Sequence, residues 1–425
     1  MNSIHISKKE LFLDLYFIFI INLLPTLQTT GLLPSIAIKI GINSIGIALA
    51  FPLFLYSFNK AIRRLKKKTF YWFTVIALLY IIYTFVRSML NQGFMATFTN
   101  FRYSFCNIFI FYFACHYVYS ISRYRLFNII KWLFVLTIIE SVLYIGHTVG
   151  ILHFYSGLTA AIEGSSFVRS YMGFPPLAIP IYGVALTIYI VSKNKNYLVC
   201  AVFLALTVFL SYTRSSLAIM LLLTVLIPLL LNIKRIIGFG RIFNSVCIAT
   251  IIIIGVFLVF PSSMQYWMTK FNNTVNSELK EDQGTYAFRE RLIEDALYQN
   301  RHGTELIGLG YVRDSAKGEY SLVQGGDTYV APVLYCEGYI GLLLRISIIA
   351  IIFLSNIKQT PNLKGRMEIC ANILTVSLIL IEIPNYIQTT LFSKFSGIPL
   401  FLIIVERFYS FQNIKNRELK KLKRI

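Results

Sequence analysis

Charge is scarce in this chain. Only 14% of its 425 residues are Asp, Glu, Lys or Arg, against about 25% in soluble domains. That shortage, with 56% hydrophobic residues, excludes a soluble globular enzyme and points to an integral membrane protein. Histidine is rarer still, with five residues, and the six cysteines stand singly in or beside apolar runs with no Cys-x-x-Cys spacing. A disulfide framework and a cysteine-based metal site are therefore not indicated, and the cysteines read as small buried residues. A phosphate-binding glycine loop, a Gly-x-Ser-x-Gly elbow and clustered metal-ligand spacing are also missing, so neither nucleotide nor metal chemistry is indicated. No cofactor is expected. No small-x-small cleavage pattern follows the first apolar run at 11–27, which reads as a retained signal-anchor.

What the chain has instead is long apolar runs. A helix needs roughly 20 apolar residues to cross a bilayer. Runs of about that length occur at 11–28, 32–58, 70–90, 103–121, 127–147, 174–191, 196–212, 216–232, 242–260, 332–355, 368–385 and 396–411. The expected fold is an all-α polytopic membrane protein of about twelve spans. Phe and Tyr are abundant, with 35 and 27 residues, as interfacial aromatic belts require. Pro175, Pro176 and Pro180 predict a distorted entry to the sixth span. No internal repeat is visible.

The formal charge of +21 does not mean nucleic acid, because the basic residues sit in short clusters between apolar runs. With the N-terminus inside, the even-numbered connections carry Lys60, Arg63, Arg64 and Lys66 to Lys68, then Arg123 and Arg125, then Lys193 and Lys195. Further on come Lys234, Arg235 and Arg241, then Lys358, Lys364 and Arg366, and a tail with Lys420, Lys421, Lys423 and Arg424. Each expected inside segment is basic, which predicts both termini in the cytoplasm of a multi-pass plasma-membrane protein. The organisation is then membrane helices over 1–260, an extracytoplasmic loop over 261–331 between spans nine and ten, helices again over 332–412, and a basic tail at 413–425.

The loop at 261–331 is the one long polar interruption. It holds ten of the 19 acidic residues against seven basic ones, a net of 7 − 10 = −3. Arginines facing outward run against the charge bias and call for an explanation. Arg169 precedes the sixth span, Arg214 lies in a tight turn between two apolar helices, and Arg289 lies in the loop. Around Arg289, apolar residues at Phe288, Leu292, Ile293, Ala296 and Leu297 mark one helix face. Arg291 has Glu294 and Asp295 at helical offsets and is expected to pair with them, whereas Arg289 has Leu292 and Ile293 there. Each arginine alone is equally consistent with snorkelling to the interface or an unseen carboxylate. Three on one side point to a shared anion site, for which the planar guanidinium suits phosphate.

Asp327 follows Gly325 and Gly326 and precedes the tenth span, where it reads equally as a helix cap or as a general base. His302 beside Arg301 and Gly303 reads as a solvated turn histidine or a proton carrier. Tyr286, Tyr311, Tyr320 and Tyr329 make the loop tyrosine-rich, which suits a saccharide.

These residues resemble the O-antigen polymerase and O-antigen ligase superfamily, which includes capsule and exopolysaccharide repeat-unit polymerases. Arg169 with Gly173 and Pro175 resembles that family's Arg-x-x-Gly…Pro element, and Thr213-Arg214-Ser215 its helix-end Thr-x-Ser-Arg, with the serine moved behind the arginine. Arg289, Ile293, Ala296-Leu297 and then Gly308-x-Gly310 resemble its Arg-x-x-x-Trp-x-x-Ala-Leu…Gly-x-Gly stretch, with isoleucine in place of tryptophan. Asp327…Gly338-x-x-Gly341 resembles its His-Asn…Gly-x-x-Gly close. Aspartate where ligases carry histidine favours a polymerase. The resemblance implies metal-independent transfer of a glycan from polyprenyl diphosphate to a sugar hydroxyl on another lipid-linked repeat. Arg169, Arg214 and Arg289 would bind the diphosphate and Asp327 would act on the acceptor, with Arg291, Gly308, Gly310, Tyr329 and His302 in support. Partners implied are the lipid-linked oligosaccharide, membrane lipid, a flippase and a chain-length regulator, and no nucleic acid. The rivals are a ligase that moves finished glycan to a different acceptor, and a flippase or transporter, which should carry its ionisable residues at mid-membrane.

Overall fold

The computed structural model describes residues 7–29, 42–104, 107–152, 159–161, 168–170, 175–211, 213–240, 285–301, 303–312, 330–359 and 366–385, with the isolated positions 243, 247, 267–269, 272 and 276. These residues are overwhelmingly helical. α1 (Lys8–Ile18) passes through a π-helical turn (Phe19–Leu23) into α2 (Leu24–Thr29). There follow α3 (Ile42–Leu65), α4 (Thr69–Gln92), α5 (Phe94–Ser104), α6 (Asn107–Ser120) and α7 (Arg123–Thr148). A small antiparallel ladder pairs β1 (Thr159–Ala161) with β2 (Val168–Ser170), placing Ala160 opposite Arg169. Then come α8 (Ala178–Ser192), α9 (Lys195–Leu210), α10 (Arg214–Ile233), α11 (Thr285–Gln299), α12 (Val330–Gln359) and α13 (Arg366–Asn385).

Six of these helices are long and apolar enough to cross a membrane: Lys8–Leu27, Asn43–Leu65, Thr69–Gln92, Arg123–Thr148, Ser215–Ile233 and Val330–Lys358. They carry large apolar side chains on their outer faces, such as Leu79, Ile82 and Val86 on α4 and Val135, Ile139 and Val142 on α7. Outside water those side chains need no cover, which is the pattern of helices that face lipid on one side and each other on the other.

Several expectations are revised. The connection expected at 91–102 is helical, because Gly93 (φ 85) turns the chain and α5 starts at Phe94. Of the span expected at 103–121, the structure describes α6 over Asn107–Ser120, with residues 105 and 106 outside the described residues. The spans expected at 174–191 and 196–212 are α8 and α9, of 15 and 16 residues. At about 1.5 Å per residue such helices reach only about 22–24 Å, short of the roughly 30 Å hydrocarbon core. The run at 242–260, apart from the isolated positions 243 and 247, the run at 396–411 and the tail at 413–425 lie outside the described residues.

Arg64, Arg123 and Arg125 gather at one end of the bundle. Arg125 at the start of α7 reaches Glu10 (3.0 Å) and Asp14 (2.9 Å) at the start of α1, and Arg123 reaches Glu368 at the start of α13 (2.9 Å). Arg64 at the end of α3 donates to the Tyr119 carbonyl at the end of α6 (3.0 Å). Ser7 begins α1 with a reciprocal capping box to Glu10, satisfying N–H groups that a helix start leaves bare. Between α3 and α6 the core is aromatic, with Phe54 against Phe113 (centroids 4.9 Å) and buried His116 (4.8 Å). A fully buried ring at this position explains His116 as packing.

Candidate functional site at the break in α12

The other end of α4 meets an interrupted helix. Gly338 divides α12 with φ 65 and ψ −165, angles that no helix tolerates. A break of this kind strands backbone groups, and in an apolar interior each must find a partner. Segment 305–310 supplies them. The Tyr335 and Cys336 carbonyls accept from the Leu309 (2.8 Å) and Gly310 (2.9 Å) N–H groups. Tyr339 and Ile340 donate to the Glu305 (3.0 Å) and Leu306 (3.1 Å) carbonyls. The Gly-x-Gly turn of the polar loop thus takes the place of the missing helical turn.

Such an approach requires glycine on both sides. A Cβ on Gly308 (φ +67) would collide with the Cys336 carbonyl and come within 2.5 Å of Glu337 N, and one on Gly338 (φ +65) would come within 2.5 Å of Gly308 N and the Leu306 carbonyl. Gly310 (φ +91) is held against Ser88, and a Cβ on Gly341 would strike the Glu337 side chain. Gly308 and Gly310, expected only as supporting residues, and Gly338 and Gly341, known only as motif positions, therefore form one joint.

Side chains lock it from two directions. α4 presents Tyr80, Arg87, Ser88 and Gln92 on one face. The Tyr80 hydroxyl donates to the Glu337 carbonyl (2.6 Å), and Arg87 Nη2 donates to the Ile307 (2.9 Å) and Gly308 (2.8 Å) carbonyls. Ser88 Oγ accepts from Tyr311 N (2.7 Å), while Gln92 and Asn100 both donate to the Tyr311 carbonyl. From inside α12, the buried Glu337 carboxylate receives Arg345 at both oxygens (Nη2–Oε1 2.6 Å, Nε–Oε2 3.0 Å) and the Tyr311 hydroxyl (2.7 Å). Burial and the Glu337 carboxylate hold the Tyr311 phenol well above its ordinary pKa, so it stays protonated and donates. α11 packs on α12, its end tied there by Asn300 Nδ2 to the Leu334 carbonyl (2.9 Å).

The expected site residues fare differently. Arg289 lies half-buried on α11, beside buried Leu292 and Ala296. It is engaged within the protein, so the lack of a carboxylate at its helical offsets does not leave it free. Arg291 is exposed, and among the described ion pairs its expected bridge to Glu294 or Asp295 does not occur. Arg169 stands in β2 and Arg214 opens α10, but their side chains lie outside the described residues, as do Asp327, Tyr329 and His302. The sequence reading missed Tyr80, Arg87 and Arg345. Arg345 carried a signal, a cation inside an apolar run with Glu337 eight residues before it. Arg87, at the end of a span remote from the basic clusters, carried the same signal as Arg169, Arg214 and Arg289.

No protein-family model matches this chain, and no curated protein matches it.

Proposed function

We propose that this protein is a polysaccharide repeat-unit polymerase of the bacterial plasma membrane. The observation that supports the reading is the joint itself. Segment 305–312 leaves the break in α12, and the chain returns at Val330, five residues before Tyr335 accepts from Leu309. The described residues that flank 313–329, Tyr311 on one side and Val330 on the other, are thus both held on α12, and Asp327 lies three residues before Val330 in the sequence. A loop clamped at both ends to a membrane helix is what preorganised chemistry at the bilayer surface needs.

On this reading the chain has about twelve spans with both termini inside, and the joint lies at the extracytoplasmic end, opposite the basic connections. Arg169, Arg214 and Arg289 stabilise the leaving diphosphate, and Asp327 orients or deprotonates the acceptor hydroxyl. The glycosidic bond to diphosphate breaks as the bond to the acceptor oxygen forms, and the hydroxyl proton leaves to the base. No metal is required, since guanidinium groups supply the positive charge. A flippase and a chain-length regulator would be its working partners.

An interrupted helix also favours a second reading, a transporter for lipid-linked sugars, because transporters expose broken-helix backbone to substrate. Here the Tyr335 and Cys336 carbonyls and the Tyr339 and Ile340 N–H groups are already taken by segment 305–310, which weighs against it. Purified protein in liposomes, supplied with lipid-linked repeat units, separates the readings. Lengthening of the glycan is expected. Transfer across the bilayer without lengthening would overturn the polymerase, and transfer onto a different acceptor would make it a ligase.

A further inference from the structure

A cationic site lies at the end of the bundle away from the joint, where α1 meets α3, and nothing in the polymerase reading uses it. The two helices run antiparallel there. Tyr16 of α1 donates its hydroxyl to the Leu49 carbonyl of α3 (2.9 Å). Seven residues earlier in α1 and seven later in α3, Lys9 Nζ stands over the Tyr56 ring, 5.3 Å from its centroid. Lys60, one turn on from Tyr56, brings its Nζ to the same ring (4.6 Å) and to its hydroxyl (3.4 Å). Two ammonium groups from different helices thus converge on one tyrosine. Arg63, exposed and three residues after Lys60, shares that face of α3.

No described carboxylate balances them. Glu10, next to Lys9, is turned to Ser7 and Arg125, and none of the described ion pairs includes Lys9, Lys60 or Arg63. The two ammonium groups are at most about 10 Å apart, within about one screening length at 0.1 M salt, so they repel. A tyrosine ring attracts a cation through its quadrupole but has no charge to cancel it. Topology asks only for cations at this end of the bundle, and does not ask that two of them meet at one ring. Further into the two spans the same seam turns apolar. Phe12, one turn from Lys9, is 66% exposed and stacks on Tyr16 (6.2 Å), and Pro52, one turn before Tyr56, is exposed on α3.

We propose that the seam between α1 and α3 binds one anionic glycerophospholipid, its phosphate held between Lys9 and Lys60 and an acyl chain laid over Phe12 and Pro52. A cationic pair beside an exposed apolar surface matches the two halves of such a lipid, whereas free phosphate or an acidic peptide would use the cationic half alone. Basic clusters at the end of a spanning helix attract anionic lipid in general. This one adds a fixed geometry, because both ammonium groups are aimed at the same ring. The phosphate offsets their mutual repulsion and, by touching both helices, fastens α1 to α3. Arg63 extends the positive potential toward the headgroup. The inference is independent of the polymerase reading and of the leaflet this end faces.

The test is native mass spectrometry of the purified full chain in detergent, titrated with phosphatidylglycerol and, separately, with phosphatidylcholine of the same acyl chains. Phosphatidylglycerol should fill one tight site well before phosphatidylcholine does. Lys9→Gln/Lys60→Gln should raise the concentration for half-occupancy about thirtyfold, through two lost charge contacts. Lys195→Gln/Lys234→Gln removes the same charge from exposed positions elsewhere and should leave the site unchanged. Thermal midpoints in nanodiscs give a second readout. Phosphatidylglycerol should raise the midpoint of the wild type and of the Lys195/Lys234 pair, because a ligand bound only by the folded state stabilises it, and should not raise that of the Lys9/Lys60 pair. Equal occupancy of the wild type by the two lipids would overturn the inference. Equal weakening by the two double substitutions would overturn it as well, by showing diffuse attraction to net charge. So would inorganic phosphate that raises the wild-type midpoint as far as phosphatidylglycerol does, since the acyl chain would then have no part in binding.

Discussion

Adding one methyl group at Gly308 tests the joint directly. Gly308 has φ +67, where a side chain costs about 1–2 kcal/mol through its own backbone. Gly303, nearby in the same loop, has φ +89 and open space around the position a Cβ would take. Gly303→Ala should therefore lose only that conformational term. At Gly308 the new Cβ also meets the Cys336 carbonyl and Glu337 N. Those are backbone atoms of a packed helix, and they cannot swing aside as the end of a flexible side chain can. The segment must lift, and it then forfeits its hydrogen bonds to Tyr335, Cys336, Tyr339 and Ile340. At about 0.5–1.5 kcal/mol net for each of the four, Gly308→Ala should lose on the order of 2–6 kcal/mol beyond Gly303→Ala. Denaturation of both variants in mixed micelles measures the difference, and lipid-linked glycan lengthening by the same preparations reports the consequence for function. If the two substitutions destabilise equally, within about 0.5 kcal/mol, the glycines do not make the close contact described and the joint is misread.

Arg345→Met should cost about 3–5 kcal/mol by leaving Glu337 charged and unpaired in the interior, and the double variant Glu337→Leu/Arg345→Met should be less destabilised than the sum of the single changes; simple additivity, measured in the same denaturation assay, would show that the pair does not interact. Arg289→Ala should abolish polymer at normal protein levels while Arg291→Ala keeps most of it, since Arg289 is half-buried on the packed side of α11 and Arg291 is exposed; equal tolerance in a glycan gel would remove Arg289 from the site. Asp327→Asn should keep normal membrane levels, because asparagine caps a helix about as well as aspartate, yet slow polymerisation by about 10²–10⁴-fold through loss of the base. Wild-type rates from that variant would leave Asp327 as a cap.

The helices that face lipid were legible because a bilayer accepts only long apolar stretches, and a count of apolar residues finds them. α4, α7 and α12 lie where their runs predicted. The gathering of Arg64, Arg123 and Arg125 at one end was legible for a similar reason, as charge is too costly to bury without purpose and so collects at helix ends. The turn at Gly93 and the start of α5 at Phe94 were not legible, since apolar residues stand on both sides of them. Composition measures affinity for lipid and says little of backbone direction. Gly308, Gly310, Gly338 and Gly341 were visible as spaced glycines, but a glycine states only that some neighbour comes close. Which neighbour comes close depends on contacts between segments far apart in the chain, and those exist only once α4, segment 305–311 and α12 have packed together. The Glu337–Arg345 pair shows the same limit: eight residues span about 12 Å in a straight helix, and the pair, 2.6 Å apart, lies across the kink at Gly338.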